Sequence, residues 1–361
     1  MPIKTTVDYI IVGQGLAGSC LALALKAQHK KVAVFDEPQK NLASAIAAGL
    51  FNPISGKGLA KSWKADVIFP FAESFYRQAE KKLSTQFYFP MPIYRPFISV
   101  EEQNEWMAQS QLDAFIEKIH TTSAFGEQVN DPLGGILLRQ SGYVDTIAFI
   151  SSVRNFLTAD DSFWALHFNF DQLKIAPDKV CYEQVEAKGI IFCEGVSVRQ
   201  NPFFSPVYIK PLKGETLTVR LPQPLPVIFN RSIYLVPTSR PLTYVVGATY
   251  KPNDNIPSVT EEGRAELEEK LRSLINLPFH IEHQHWGFRP TVPDRRPVMG
   301  NHPHHKNLYL FNGLGTKGVT LAPYCAHIFA NWLRGESELP QEVNIKRFKS
   351  LYSKFSLGAN L

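Results

Sequence analysis

The chain has 361 residues, of which 44% are hydrophobic and 20% charged, with 38 Lys and Arg against 33 Asp and Glu for a formal net charge of +5. That balance fills a large core, and it excludes a disordered chain, a small disulfide scaffold and a fibrous repeat. At about 150 residues per domain the length predicts two domains, and so small a charge argues for no acidic partner.

The chain opens MPIKTTVDYIIV. A short polar lead runs straight into an apolar strand, without the basic leader, hydrophobic region and small-residue cleavage site of a signal peptide. No uninterrupted apolar run approaches the roughly 18 residues of a membrane span. Cys20, Cys181, Cys193 and Cys325 form no CxxC pair and sit among apolar neighbours. Buried free thiols in a reducing compartment are expected, hence a cytoplasmic protein with no membrane span.

The apolar run Val7–Val12 ends at GQGLAG: Gly13, Gln14, Gly15, Leu16, Ala17 and Gly18. An Ala- and Leu-rich helix follows, with Leu16, Cys20, Leu23 and Ala24 on one face. A second strand, VAVF, then ends at Asp36, with Glu37 beside it. Strand, glycine turn, helix, strand and acid are the context of a dinucleotide-binding unit. Gly13 permits the tight turn, Gly15 lets the backbone approach a pyrophosphate, and Gly18 lets helix and strand pack closely. The helix start offers free N–H groups to the phosphates, and Asp36 is placed to accept from ribose hydroxyls. An acid here disfavours a 2′-phosphate but does not separate FAD from NAD.

Next comes SAIAAGLFNP, Ser44 to Pro53. Two alanines and a glycine in a row give a backbone that another group can approach closely, and Ser44, Ala48, Gly49 and Leu50 are candidate cofactor contacts. A plain nicotinamide-binding fold would enter another strand and helix at this point. Trp63–Leu83 reads instead as an amphipathic helix kinked at Pro70. Lys57, Lys61 and Lys64 form a candidate basic patch, with an ordinary solvated loop as the alternative. Glu261–Asn276 reads as an amphipathic helix with paired charges. His280, His283 and His285 read as a polar strand face. The run His302–His305 reads as a surface loop, and no metal site is expected there. GLGTKG, with Gly313, Leu314, Gly315, Thr316, Lys317 and Gly318, precedes an apolar helix over Val319–Leu333. It repeats the logic of bare amides at a helix start.

These pieces, in this order, resemble the FAD-dependent D-amino acid oxidase superfamily, which includes glycine and sarcosine oxidases. The resemblance rests on the glycine turn, the acid and AAGLFNP. It continues through GYVDTIAFISSVRNFL (Gly142–Leu157), GIIFCEG (Gly189–Gly195), PLKGETL (Pro211–Leu217) and YLVPTSRPLTYVVGATY (Tyr234–Tyr250). WGFRPTVPDRRPVMG (Trp286–Gly300) and NLYLFNGLGTKGVTLAP (Asn307–Pro323) complete it. It implies an α/β architecture: a glutathione-reductase-type, Rossmann-like FAD domain plus a mostly antiparallel α+β substrate domain. The FAD domain would be discontinuous over 1–82, 136–203 and 285–361, with the substrate domain over 83–135 and 204–284.

The resemblance further implies noncovalent FAD, since neither Cys nor His stands at the family's attachment positions. Gly195 would lie near the flavin diphosphate, and the GLGTKG amides near the ring. Arg289 would hold a substrate carboxylate through two parallel hydrogen bonds. Its alternative is an ion pair with Asp294. Tyr234 would offer its hydroxyl to the same carboxylate, or be an edge-strand aromatic. Lys317 would place a cation beside the flavin, or be a solvated loop lysine. The implied reaction oxidises the C–N bond of a small amino acid or secondary amine carrying a carboxylate. Hydride passes to flavin N5 as the substrate becomes an imine. Two alternatives stay open. GLGTKG is also similar to the loop of the oxidase half of a bifunctional enzyme family that modifies the tRNA wobble uridine, where the group oxidised is a carboxymethylaminomethyl. The chain could also be an FAD-binding electron-transfer subunit without its own amine substrate.

Overall fold

The computed structural model describes residues 5–37, 43–55, 60–108 and 114–349. Lys57 of the lysine patch lies outside them.

The first large sheet is built around Thr5–Val12. Val32–Phe35 pairs parallel with it on one side and Val185–Phe192 on the other, and Leu308–Asn312 then pairs parallel with Val185–Phe192. Segments far apart in sequence therefore make one parallel core, as crossover connections allow. Its strands are apolar runs because both faces are covered. Alternation sends Tyr9 and Ile11 to one face and Ile10 and Val12 to the other. Helices Leu16–Ala27, Thr146–Thr158 and Gly318–Leu333 contribute Leu21, Phe149 and Phe329 to the first face. Phe168, Tyr182 and Phe204 cover the second.

The second large sheet has eight strands in the order His280–Thr291, Lys210–Arg220, Thr243–Gly247, Ile233–Pro237, Ile228–Arg231, Ile93–Pro96, Gly135–Leu138 and Ile116–His120. All pairings are antiparallel except Ile228–Arg231 with Ile93–Pro96. Its back buries Leu217, Leu235 and Val246 with Leu267 and Leu271 of helix Glu261–Leu274. Strand His280–Thr291 runs straight across the boundary expected after residue 284, so Arg289 stands on this sheet.

Several expectations need correction. The helix expected from Trp63 starts at Ala65 and runs unbroken through Pro70 to Leu83. Pro70 is exposed, while Ile68, Phe69, Ala72 and Tyr76 anchor the opposite face. The lost backbone bond is thus at solvent and the packing carries the helix through. His302–His305 is not simply a surface loop. His302 is fully buried and its Nδ1 accepts from the backbone N–H of His304 and His305, so it organises the turn. Burial, with His305 and His304 nearby, pushes its pKa down to about 4. Cys181 is half-buried and donates to Glu186, whereas the other three thiols are buried.

Candidate active site

Both glycine turns open into one cleft of about 2220 Å³, lined on one side by the parallel sheet and on the other by the second sheet. A common small-molecule pocket is roughly 300–1,000 Å³. The cleft has room for a long dinucleotide together with a substrate.

The first turn is shaped by its glycines. Gly13 has φ +94°, which L side chains rarely adopt, and its N–H donates to Phe35 O at 2.8 Å. A Cβ on Gly18 would collide with the Gly13 carbonyl oxygen. Helix Leu16–Ala27 has Gly15 as its N-cap residue, with no side chain of its own to cap the free amides. Ser44 Oγ accepts from Leu16 N at 3.1 Å, so the small-residue loop folds back onto the helix start. Ala17 lines the cleft beside them. Positive dipole and open backbone together make a seat for phosphate.

Asp36 is tied to that turn. Its Oδ1 accepts from Gln14 N at 3.0 Å, and its Oδ2 lies 3.5 Å from Arg154 Nη2. Burial pushes its pKa up, against the pull of the Gln14 N–H and the Arg154 charge. Arg154 Nε also donates to Gln14 Oε1 at 2.9 Å. Fully buried Gln14 therefore joins the turn, Asp36 and helix Thr146–Thr158. Glu37 is exposed and 3.0 Å from His167 Nδ1. Ala48, Gly49 and Leu50 line the cleft beyond Ser44. Gly49 (φ +67°) allows its strand to meet Val144, where a Cβ would clash with a carbonyl oxygen.

Gly195 (φ +57°) faces open space, with no atom within 4 Å of where a Cβ would stand. Asn312 Nδ2 donates to its carbonyl at 2.8 Å, which joins this segment to the second glycine turn. There, Gly313 N donates to Asn312 Oδ1 and Gly315 N to Pro290 O, at 2.8 and 3.0 Å. Leu314, Thr316 and Gly318 line the cleft. Lys317 is the N-cap residue of helix Gly318–Leu333. Its Nζ donates to Ser62 Oγ at 2.7 Å. Burial, with Arg296 and Arg295 nearby, brings its pKa down to about 8.

On the second sheet, the Arg289 guanidinium fills the space above Gly214, and its Nη1 donates to Thr249 O at 3.4 Å. The suggested partner Asp294 is engaged elsewhere, accepting from Arg347 Nε at 2.8 Å and from Arg296 N. Tyr234 leans over Gly247 on the neighbouring strand, and its hydroxyl lies close enough to Arg289 to feel that charge. Burial still raises its pKa. Tyr234 is thus packed on the cleft face of an interior strand rather than on a sheet edge. In the lysine patch, Lys61 is 2.7 Å from Asp66 and Lys64 3.3 Å from Glu342, so both are charge-compensated.

Sequence reasoning missed four participants. Arg154 lies in a helix far from the turn it braces. Ser62 precedes helix Ala65–Leu83 and meets Lys317. Gly214 is the bed of Arg289. Glu194 lines the cleft, and burial raises its pKa to about 7. Only Gly214 carried a local signal, a glycine inside a strand, which marks close approach.

Comparison with known proteins agrees with this geometry. The family described as DAO, FAD dependent oxidoreductase, matches residues 8–332, and the chain belongs to it. The chain is 26% identical over 360 residues to the bifunctional protein ThiO/ThiG of Trichormus variabilis, covering 91% of this chain and 53% of that one. It is 24% identical over 375 residues to the tRNA 5-methylaminomethyl-2-thiouridine biosynthesis bifunctional protein MnmC of Idiomarina loihiensis, covering 95% and 59%. The chain thus spans between half and three fifths of these relatives' lengths. Its fold matches glycine oxidase from Bacillus cereus with a TM-score of 0.77 and 20% identity, over 92% of this chain and 96% of that one. The chain is accordingly an FAD-dependent oxidoreductase. Its cradle fits the cofactor, since a side chain at Gly13 or Gly18 would collide with backbone and the N-cap residue Gly15 puts no side chain over the helix start. Among the described residues no helix is long and apolar enough to cross a membrane.

Proposed function

We propose that this chain oxidises the C–N bond of a small amino acid or secondary amine that carries a carboxylate. The observation that carries the reading is Arg289, whose guanidinium is held in the cleft above Gly214, beside Tyr234, with no carboxylate of the chain paired to it among the described residues. A planar guanidinium in such a wall suits a planar carboxylate, which it fixes in orientation as well as charge.

When bound, FAD supplies an acceptor for the electron pair and hydrogen that leave the substrate carbon. The first glycine turn, with Gln14, Asp36, Glu37 and Ser44 to Leu50, would hold the nucleotide, with Gly195 near the diphosphate. The second turn, Gly313 to Gly318, would present helix-start amides where charge accumulates on the ring. Arg289 and Tyr234 would orient the acid so that the carbon bearing the nitrogen faces that acceptor. Among the described residues the carboxylates lining the cleft are Asp36, Glu37, Asp171 and Glu194, all on connections between strands of the parallel sheet. None stands beside Arg289 as a base, so the amine would arrive neutral. Its lone pair would form the C=N bond as hydrogen leaves, and water would release an oxo acid and ammonia or an amine. Lys317 would keep a cation at this end of the cleft.

Anaerobic mixing with glycine, sarcosine, D-amino acids and a carboxymethylaminomethyl-uridine oligonucleotide tests the reading. A small amino acid should bleach the flavin, and Arg289→Ala should raise its KM while FAD stays bound. Bleaching by the oligonucleotide alone would replace the small substrate with RNA, a reading that similarity to the tRNA protein supports. Bleaching by none of them would point to an electron-transfer subunit.

A further inference from the structure

The motif PLKGETL sets Lys213 and Glu215 on either side of Gly214, the bed of Arg289. Alternation along strand Lys210–Arg220 divides these residues between two faces. Leu212, Gly214 and Thr216 line the cleft, and Lys213 and Glu215 stand on the opposite side. There Lys213 is fully buried and Glu215 is 1% exposed. Charges sunk this deep are a poor means of stabilising a strand, since apolar residues of similar volume commonly serve as well or better. Their partners show what they hold in place.

Lys213 Nζ donates to Asp254 Oδ2 at 2.8 Å and lies 3.3 Å from Glu215 Oε1. Asp254 Oδ1 in turn accepts from Ile256 N at 2.8 Å. Glu215 Oε2 accepts from Thr260 N at 3.0 Å and from Gln284 Nε2 at 2.7 Å, while its Oε1 accepts from Thr260 Oγ1 at 2.8 Å. Thr260 is the N-cap residue of helix Glu261–Leu274. The backbone adds to this: Thr249 N donates to Glu215 O at 3.1 Å, Glu215 N to Thr249 Oγ1 at 2.8 Å, and Lys251 N to Lys213 O at 3.2 Å. The connection 248–260, from strand Thr243–Gly247 to that helix, is thus tied at its start, middle and end to one strand. What this fixes on the cleft side is the Thr249 carbonyl, which accepts from Arg289 Nη1 at 3.4 Å. That carbonyl engages one of the five N–H groups of the guanidinium and leaves the others for a ligand.

We propose that Lys213 and Glu215 are positioning residues for the carboxylate site: by clamping connection 248–260 from behind, they hold the Thr249 carbonyl against Arg289 and so aim the guanidinium into the cleft. This rests on the reading that Arg289 binds a substrate carboxylate. Lys213 acts through Asp254 and Glu215 through Thr260, and neither touches the substrate. Gly214 between them keeps the cleft side clear, so one short strand segment both makes room for the arginine and fixes the carbonyl that orients it.

The test uses the FAD-loaded protein and reads carboxylate binding directly, by titrating the flavin spectrum with propionate. Asp254→Ala releases the connection from Lys213, whose charge Glu215 still compensates at 3.3 Å, so the fold and FAD retention should survive. Propionate should bind about fivefold more weakly, on the scale of a weakened hydrogen bond to a charged group. Lys213→Met should act in the same direction at a greater risk to the fold, and Asp254→Ala decides the question if that variant does not load FAD. Coupling separates positioning from general loosening. Arg289→Ala should itself weaken propionate, and adding Asp254→Ala to it should change the affinity by less than about twofold, because both act through one group. Equal losses in the two backgrounds, FAD lost in step with propionate, or an unchanged affinity in Asp254→Ala would overturn the proposal. Turnover keeps it apart from the reading it rests on. If no amine acid bleaches the flavin but the coupled loss of propionate affinity is seen, the amine-oxidation reading fails and the positioning role stands. If an amine acid bleaches it with wild-type kcat/KM in Asp254→Ala, the positioning role fails and the amine reading stands. If Arg289→Ala leaves propionate affinity unchanged, both fall.

Discussion

Gly214→Ala tests the substrate end of the cleft without touching the cofactor cradle. A Cβ at position 214 would come within 3.0 Å of the Nη1, Nη2 and Cζ atoms of Arg289, closer than real Cβ contacts lie, whereas ordinary contact begins near 3.4 Å. What it meets is the far end of a flexible side chain, so the arginine yields and the backbone does not. Gly214 also has no positive φ to lose. The fold and the FAD content should therefore survive. The guanidinium, displaced by roughly 1 Å or more, should lose about one of its two bonds to a substrate carboxylate. A hydrogen bond to a charged group is worth about 1.5–3 kcal/mol, which converts to about 10- to 150-fold in kcat/KM. Anaerobic stopped-flow reduction of the flavin by the best amine substrate measures it, with dithionite reduction as the control. Unchanged kcat/KM would refute the placement of Arg289 on the substrate. Loss of FAD would mean that Gly214 and Arg289 serve the cofactor instead.

Three further outcomes follow from the same structure. Gly18→Ala would press a Cβ against the Gly13 carbonyl, and overpacking of about 1–3 kcal/mol should weaken FAD retention by at least fivefold; retention at the wild-type level, measured by flavin fluorescence after gel filtration, would count against the cradle. Glu194 has its pKa raised by burial to about 7, so its contribution to stability is full below about pH 4.5 and lost as pH rises through 7; flavin-free Glu194→Gln should gain melting temperature relative to wild type at pH 8 but not at pH 4.5, and equal shifts at both would remove the argument. Lys317 has its pKa lowered to about 8, so its buried charge burdens the flavin-free fold below pH 8 and the burden lifts between about pH 8 and 10; Lys317→Met should melt higher at pH 7, with the gain shrinking at pH 10, and the loaded variant should show slower flavin reoxidation than reduction, whereas equal slowing of both half-reactions would exclude a specific role in reoxidation.

The two glycine turns were legible in the sequence because their requirements are local. A turn with φ +94° at Gly13 and a collision-free Gly18 needs glycine at those positions whatever else the chain does. The parallel core was legible for a similar reason, since short apolar runs such as VDYIIV and GIIF need cover on both faces. What stayed hidden depends on distant partners. Arg154 reaches Asp36 across 118 positions and Lys317 reaches Ser62 across 255, and neither separation leaves a periodic trace. His302 sits in a stretch of His, Pro and Lys that reads as surface, yet its ring is buried and spends Nδ1 on the turn it closes. Pro70 lies inside a helix that continues to Leu83, held there by its buried opposite face.

The most direct measurement is the crystal structure of the flavin-loaded protein soaked with a monocarboxylate. The adenosine end should lie against Asp36 and the first glycine turn, the ring over Gly313 to Lys317, and the acid within hydrogen-bond distance of both Arg289 and Tyr234. A flavin lying in the opposite direction, or a carboxylate bound away from Arg289, would contradict the account.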